Sequence, residues 1–206
     1  MRTRRLIPSA FLFAALAGLV CVAARAQTDV ALSLYGAFSG STTGGNTVQS
    51  PSNSAGGLLE LRHISKPLVG YDVNYSYNRD NQTYKSPSGL PCPTGGCTVA
   101  AVSANAHELS GDWVVSVHGA NLRPFAQAGV GVLLNEPTSG QSGTSSATKP
   151  VFIYGAGLDW GLVPHLGLRF QYRGNLYHAP DLTTAFSSTG KFTQTAEPMI
   201  GAYLKF

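Results

Sequence analysis

"LVGYDVNYSYN", residues 68–78, alternates without a slip. Val69, Tyr71, Val73, Tyr75 and Tyr77 share one face of an extended chain, and Gly70, Asp72, Asn74 and Ser76 share the other, because successive side chains of a strand point to opposite sides. The same period recurs in both directions along the chain. "LGLRFQYR", residues 166–173, sets Leu166, Leu168, Phe170 and Tyr172 against Gly167, Arg169, Gln171 and Arg173. "VFIYGAGLDW", residues 151–160, sets Phe152, Tyr154, Ala156, Leu158 and Trp160 against Gly155, Gly157 and Asp159. The last segment, "EPMIGAYLKF", sets Ile200, Ala202, Leu204 and Phe206 against Gly201, Tyr203 and Lys205. Weaker alternation occupies residues 30–39, 57–64, 105–117 and 124–134. No stretch after residue 27 repeats at the helical period. The chain therefore reads as eight strands, each near the 9–11 residues that a tilted strand needs to cross a bilayer.

The connections sort by length. Residues 65–67, 118–123 and 161–165 are short; residues 40–55, 79–104, 135–149 and 174–195 are long. Long and short alternate along the chain. An up-and-down barrel in the bacterial outer membrane has this arrangement, with short periplasmic turns, long outside loops and both termini on the periplasmic side. A soluble sandwich has no reason to sort its loops so. An internal echo, "PLVGYDVNY" at 67–75 and "PHLGLRFQY" at 164–172, fits two equivalent hairpins entered from one side.

A soluble barrel with an apolar interior shows the same alternation, and size decides between the two. Eight strands enclose a space just wide enough for side chains, which the Tyr, Trp and Phe of the apolar face would overfill. The other face carries Gly, Ala, Ser, Asn and Gln with a few charges, and it is assigned to the lumen. Those charges are Glu60, Arg62, Asp72, Glu108, Asp112, Asp159, Arg169, Arg173, Glu197 and Lys205. An Arg or Lys facing lipid near midplane costs about 2–4 kcal/mol, whereas inside the barrel such groups can pair. An ion-pair plug is the plain reading of this set, and a gated proton or ion path the sharper one. Outward aromatics at strand ends, Tyr71, Trp160 and Phe206 at one end and Phe38, Tyr77, Phe152 and Tyr172 toward the other, suit two interfacial girdles.

The start of the chain supplies the compartment. Arg2, Arg4 and Arg5 precede an apolar stretch from residue 10 to 24, and Ala24-Arg25-Ala26 fits a small-x-small cleavage site. Residues 1–26 thus read as a secretory signal and residues 27–206 as the barrel. The chain holds fourteen Lys and Arg against ten Asp and Glu, and four of the arginines lie in the signal. The mature chain is left near neutral, and nothing in it argues for nucleic acid. Cys92 and Cys97, in "LPCPTGGCTV", read as a small disulfide loop in an exported chain.

In these respects the chain resembles the small eight-stranded outer-membrane barrels, the superfamily of outer membrane protein A and X. The family ends in a Gly-x-x-hydrophobic-x-aromatic signal, and Gly201, Leu204 and Phe206 stand at those positions. The resemblance implies that Phe206 is read by the barrel assembly machinery, with periplasmic chaperones on the way, and anchors the strand that closes the barrel. Met199 departs from the family's polar preference two residues before the glycine.

Catalytic candidates are few. In "RFQYRGN", residues 169–175, Tyr172 and Gly174 stand where the resembling lipid A deacylase places its His-x-Ser dyad. The palmitoyltransferase alternative needs a Ser–His pair, for which His107 with Ser110 or His178 with loop serines are the candidates. His63, His118 and His165 lack metal-ligand spacing, and Gly129-x-Gly131 and Gly155-x-Gly157 sit in strands with no following helix, so they relieve crowding rather than hold phosphate. The expectation is a monomeric, non-enzymatic outer-membrane barrel with no cofactor or metal. It contacts outer-membrane lipid and acts through its outside loops, whose ligand the sequence does not name. A lipid A-modifying enzyme and a narrow porin-like pore are the alternatives.

Overall fold

The computed structural model describes residues 27–65, 68–86, 100–117, 119, 121–138 and 143–206. Ten strands follow one another: β1 (Gln27–Ser39), β2 (Thr42–Gly44), β3 (Thr47–Pro51), β4 (Ser54–Ile64), β5 (Val69–Lys85), β6 (Ala100–Ser116), β7 (Leu122–Pro137), β8 (Ala147–Val163), β9 (Leu166–His178) and β10 (Phe192–Lys205). Eight of them, all but β2 and β3, form a closed antiparallel barrel in which each pairs with its sequence neighbour and β10 returns to β1. Closure leaves no edge strand with unpaired backbone groups, the condition for crossing lipid with strands.

The register fixes the barrel's dimensions. Phe38 pairs with Ala196, and the line continues through Gly174, Tyr154, Ala128, Trp113, Tyr71 and His63 back to Thr28 on β1. From position 38 to position 28 the stagger is ten residues. With ordinary strand rise and spacing, this tilts the strands by roughly 40° and sets a backbone radius of about 8 Å.

The two faces divide as the alternation requires. Leu32, Leu34, Tyr71, Val73, Leu109, Trp113, Val130, Phe152, Trp160, Phe170, Ile200 and Leu204 face outward, and Phe38, Tyr77, Tyr172 and Phe206 are exposed with them. The lumen does hold some aromatics. Tyr35, Phe125 and Tyr203 are buried there, their rings lying in the spaces left by Gly56, Gly157 and Gly167, where a Cβ would collide with them. Gly129 and Gly131 likewise meet neighbouring backbone where a Cβ would stand.

The strands outrun the expected segments at one end. β5 continues to Lys85 and β6 begins at Ala100, taking up residues that read as loop in the sequence. Above the apolar band the outward side chains become polar (Arg79, Asn81, Ser103), so the contrast between faces vanishes while the pairing continues. The first long connection also folds, into the β2–β3 hairpin. Its turn, Gly45-Asn46, has positive φ at both residues (53° and 59°), the pattern of a two-residue hairpin turn. β3 then lies against the outer end of β5.

Candidate functional site

Two places concentrate polar chemistry: the lumen and the long-loop end. In the lumen, β9 carries Arg169, Gln171 and Arg173 at every second residue, so all three point inward. Arg169 is fully buried. Its Nε donates to Asp159 Oδ1 (2.7 Å), its Nη2 to Asp159 Oδ2 (3.0 Å) and Asp29 Oδ1 (2.9 Å), and its Nη1 to Glu60. Arg123 completes this cluster, its Nη2 donating to Asp159 Oδ2 (2.7 Å) and Asp29 Oδ2 (3.2 Å). Arg62 pairs with Glu60 (2.9 Å) and Asp72 (3.2 Å), and its guanidinium lies 4.0 Å from the centre of the Phe125 ring. Asn74 Nδ2 then bridges Asp72 Oδ1 (3.0 Å) and Asp112 Oδ2 (2.9 Å), and Gln127 Nε2 donates to the same Asp112 oxygen (3.2 Å).

A second cluster lies nearer the long loops. Arg173 donates to Glu108 and stands 3.6 Å from Glu197, while Asn175 Nδ2 donates to both carboxylates (2.9 and 3.0 Å). The charges assigned to the lumen from alternation are thus brought together, with one exception. Lys205 is half-exposed at the short-turn end and lines a cavity there. Two members of the network, Asp29 and Arg123, are not among the charges that alternation assigns to the lumen, yet both are buried in it. Asp29 precedes the first alternating segment, and Arg123 falls in a stretch that reads as a turn; the inward parity of Ala31, Ser33, Phe125 and Gln127 is the signal that could have found them.

The two ends of the lumen differ. At the short-turn end a cavity of about 370 Å³, walled by Gln27, Asn121, Leu162 and Tyr203, reaches in as far as Arg123 and Asp159. At the other end the last long connection folds into the mouth. Leu182 is fully buried against Tyr84, Val102, Ala104 and Ala147, with Phe186 packed on the cluster. Tyr84 Oη donates to Pro180 O (2.8 Å) and accepts from Leu182 N (3.2 Å), and Gln49 Nε2 from β3 donates to Pro180 O (3.0 Å). Burial pushes the Tyr84 phenol up to about 12, so it stays a donor at neutral pH. A small cavity beside the cap, lined by Gln49, Tyr177 and Pro180, has a volume of about 10 Å³, room for a single water at most.

The catalytic candidates do not assemble. His107 is on the outer wall with Nδ1 2.8 Å from Tyr75 Oη, whereas Ser110, three residues along the same strand, is buried in the lumen. An odd spacing on a strand places two side chains on opposite faces. His178 lies against Phe192, ring centres 3.8 Å apart and planes tilted by 32°, and Tyr172 faces outward. His63 contacts Thr28 (3.0 Å) and His165 contacts Lys205 O (3.1 Å). Among the described residues no group of His, Cys, Asp or Glu is placed to hold a metal. Cys92, Cys97 and His118 lie outside the described residues.

A closed eight-stranded barrel, with an apolar outer wall and an ion-paired lumen, leads to one comparison. The outer membrane protein beta-barrel domain family matches residues 12–192. The chain belongs to this family. Several solved structures are similar in fold. Neisserial surface protein A has 14% identity, a TM-score of 0.60, and covers 87% of this chain and 97% of its own. Ail of Yersinia pestis, in complex with a heparin analogue, has 14% identity, a TM-score of 0.55, and covers 89% and 100%. OprG of Pseudomonas aeruginosa has 11% identity, a TM-score of 0.53, and covers 87% and 95%. No curated protein matches the chain. Within the outer membrane protein beta-barrel family, this chain carries a lumen crossed by charge pairs and a mouth filled by its own last loop.

Proposed function

We propose that the chain is a sealed, non-enzymatic barrel of the bacterial outer membrane that acts at the cell surface through the cap its long loops build. Residues 1–26 direct export and are then cleaved, the barrel works as a monomer surrounded by outer-membrane lipid, and the assembly machinery reads Gly201, Leu204 and Phe206. Cys92 and Cys97 form a disulfide in the second long loop. The observation that carries the reading is the seating of Leu182 in the barrel mouth above two clusters of buried ion pairs. A path for solutes would have to break both. Strands that continue past the apolar band hold the cap rigidly above the lipid, and loops on such a scaffold are where binding residues concentrate.

The test sets three assays side by side: conductance in planar bilayers, acyl transfer or hydrolysis on lipid A, and adhesion of whole cells. Replacing residues 183–190 with a Gly-Ser linker is expected to abolish surface binding while the barrel still forms. Turnover on lipid A, or steady unitary currents from the intact protein, would sink the proposal. A narrow pore is the second reading, favoured by the cavity at the periplasmic end; it meets the Arg123–Asp159 pair at its inner end.

A further inference from the structure

The lumen is filled unevenly at its short-turn end. At Gly129, Gly131, Gly157 and Gly167 a Cβ would collide with a neighbouring atom. Gly161 differs. A Cβ there would meet Asn121 O at 3.7 Å and Tyr203 Oη at 3.8 Å, both ordinary contacts, and its φ is not left-handed. The row across the strands explains the space. Gly161 N donates to Asn121 O (2.8 Å), Gly161 pairs with Gly167, and Gly167 pairs with Tyr203. The Tyr203 ring takes the place over Gly167 and leaves the place over Gly161 open. That opening belongs to the cavity of about 370 Å³ that reaches Arg123 and Asp159, a volume in the range of small-molecule sites.

Three donors on the cavity wall lack a partner among the described residues. Arg123, 8% exposed, gives Nε and Nη2 to Asp159 and Asp29, and its Nη1 bonds to nothing else described. Tyr203 Oη and Lys205 Nζ are likewise without a hydrogen bond or ion pair. Tyr203 and Lys205 stand two residues apart on β10 and therefore share a face, roughly 7 Å apart. The acids nearby are already engaged. Asp159, the carboxylate on the wall, is held by Arg169, Arg123 and Arg62. Asp29 lies opposite Lys205 in the ladder, but its oxygens accept from Arg169 and Arg123. A solute entering from this end thus meets two cations on the wall and one carboxylate that three guanidiniums neutralise.

We propose that this pocket binds a small organic carboxylate from the periplasmic side, its oxygens accepting from Arg123 Nη1, Tyr203 Oη and Lys205 Nζ. Hydrogen bonds from charged donors to a carboxylate are the strong ones. Two cations beside one neutralised acid suit a single negative charge better than a phosphate ester, which carries close to two. The register shifts between Gly161 and Val163, and a bulge of this kind re-aims side chains. Leu162 and Pro164 enter the wall there and offer apolar surface to a short carbon chain. The pocket ends on the Arg123–Asp159 pair, which makes it blind. This goes beyond the surface role proposed above, which concerns the opposite end of the barrel.

The test titrates the full mature protein in mild detergent with 4,4,4-trifluorobutyrate, read by fluorine NMR, and with its neutral isostere 4,4,4-trifluorobutyramide. The carboxylate is expected to bind on the order of tenfold more tightly than the amide. Lys205→Gln should remove most of that preference. Gly161→Leu, which fills the opening, should abolish carboxylate binding, and Lys191→Gln, an exposed cation at the long-loop end, should leave it unchanged. Equal binding of the two probes, an undiminished preference in Lys205→Gln, or full carboxylate binding by Gly161→Leu in its compact gel form would each overturn the proposal. Should Gly161→Leu fail to give the compact form, Lys205→Gln and the two probes on the unaltered protein decide the matter. Adhesion is not read in this experiment, so its failure leaves the surface role standing.

Discussion

Arg169 shows how one residue ties the barrel together. It reaches Asp29 on β1, Glu60 on β4 and Asp159 on β8 from its own place on β9. It also stands 5.3 Å from the ring of Tyr203 on β10. A buried guanidinium with partners on three strands contributes less net stability than its contacts suggest, because both ions lost their water. Removing it is another matter. Arg169→Met leaves Asp29 and Glu60 each short of a partner in a closed lumen. The expected loss is about 3–5 kcal/mol, read as a lower urea midpoint for conversion from the compact to the extended gel form. Without Arg123, Asp159 keeps Arg169 and Arg62 and Asp29 keeps Arg169, so Arg123→Met should cost less than Arg169→Met.

The cap is the element on which the surface role depends. Five separated segments meet in it: β3 through Gln49, β5 through Tyr84, β6 through Val102, β8 through Ala147, and the last connection through Leu182. Ser145 N and Thr184 N add bonds between the third and fourth long connections, to Leu182 O and Gly143 O. The Tyr84 hydroxyl is the hub, since it donates to Pro180 O and accepts from Leu182 N and Gln49 Nε2. Tyr84→Phe keeps the ring and removes these bonds, leaving a buried N–H without its acceptor at about 1–3 kcal/mol. Amide exchange at Leu182 is expected to speed up roughly tenfold or more, while amides in the middle of β7 and β8 keep their protection. Unchanged exchange at Leu182 would mean that the apolar cluster alone seats the loop.

At the scale of the molecule, the fold stands or falls on closure. Phe206 N donates to Thr28 O (2.8 Å) and Lys205 N to His165 O (2.8 Å), so the final residues are paired on both sides while the Phe206 ring faces outward. On the reading proposed above, in which residues 1–26 direct export, Phe206→Asp should leave export intact. The same substitution should block insertion, because it removes an apolar anchor together with the proposed terminal signal. An unclosed barrel would expose backbone groups to lipid at several kcal/mol each. Fractionation is expected to find the variant in the periplasm, protease-sensitive and without the compact gel form, whereas Phe206→Tyr inserts normally. Normal outer-membrane levels of the Asp variant would show that the terminus is not the determinant.

Alternation alone makes the barrel legible in the sequence. In Leu68–Asn78 or Leu166–Arg173 each residue's face follows from parity, and closure follows because lipid tolerates no unpaired edge. Parity also separates Arg169 and Arg173 from the apolar wall and destines them for the lumen. What parity cannot give is reach across the barrel. That Arg169 meets Asp29, 140 residues away, depends on the stagger of ten, which is a property of all eight pairings at once. The signal also fades where the surroundings stop being apolar. Past Tyr77 the outer face meets headgroups and water, polar residues occupy both sides, and the ends of β5 and β6 lose their pattern although their ladder continues. The cap lies further out of reach, because Leu182 and Phe186 are scattered apolar residues without strand alternation in a polar connection. Only the mouth of the closed barrel gives Leu182 somewhere to be buried.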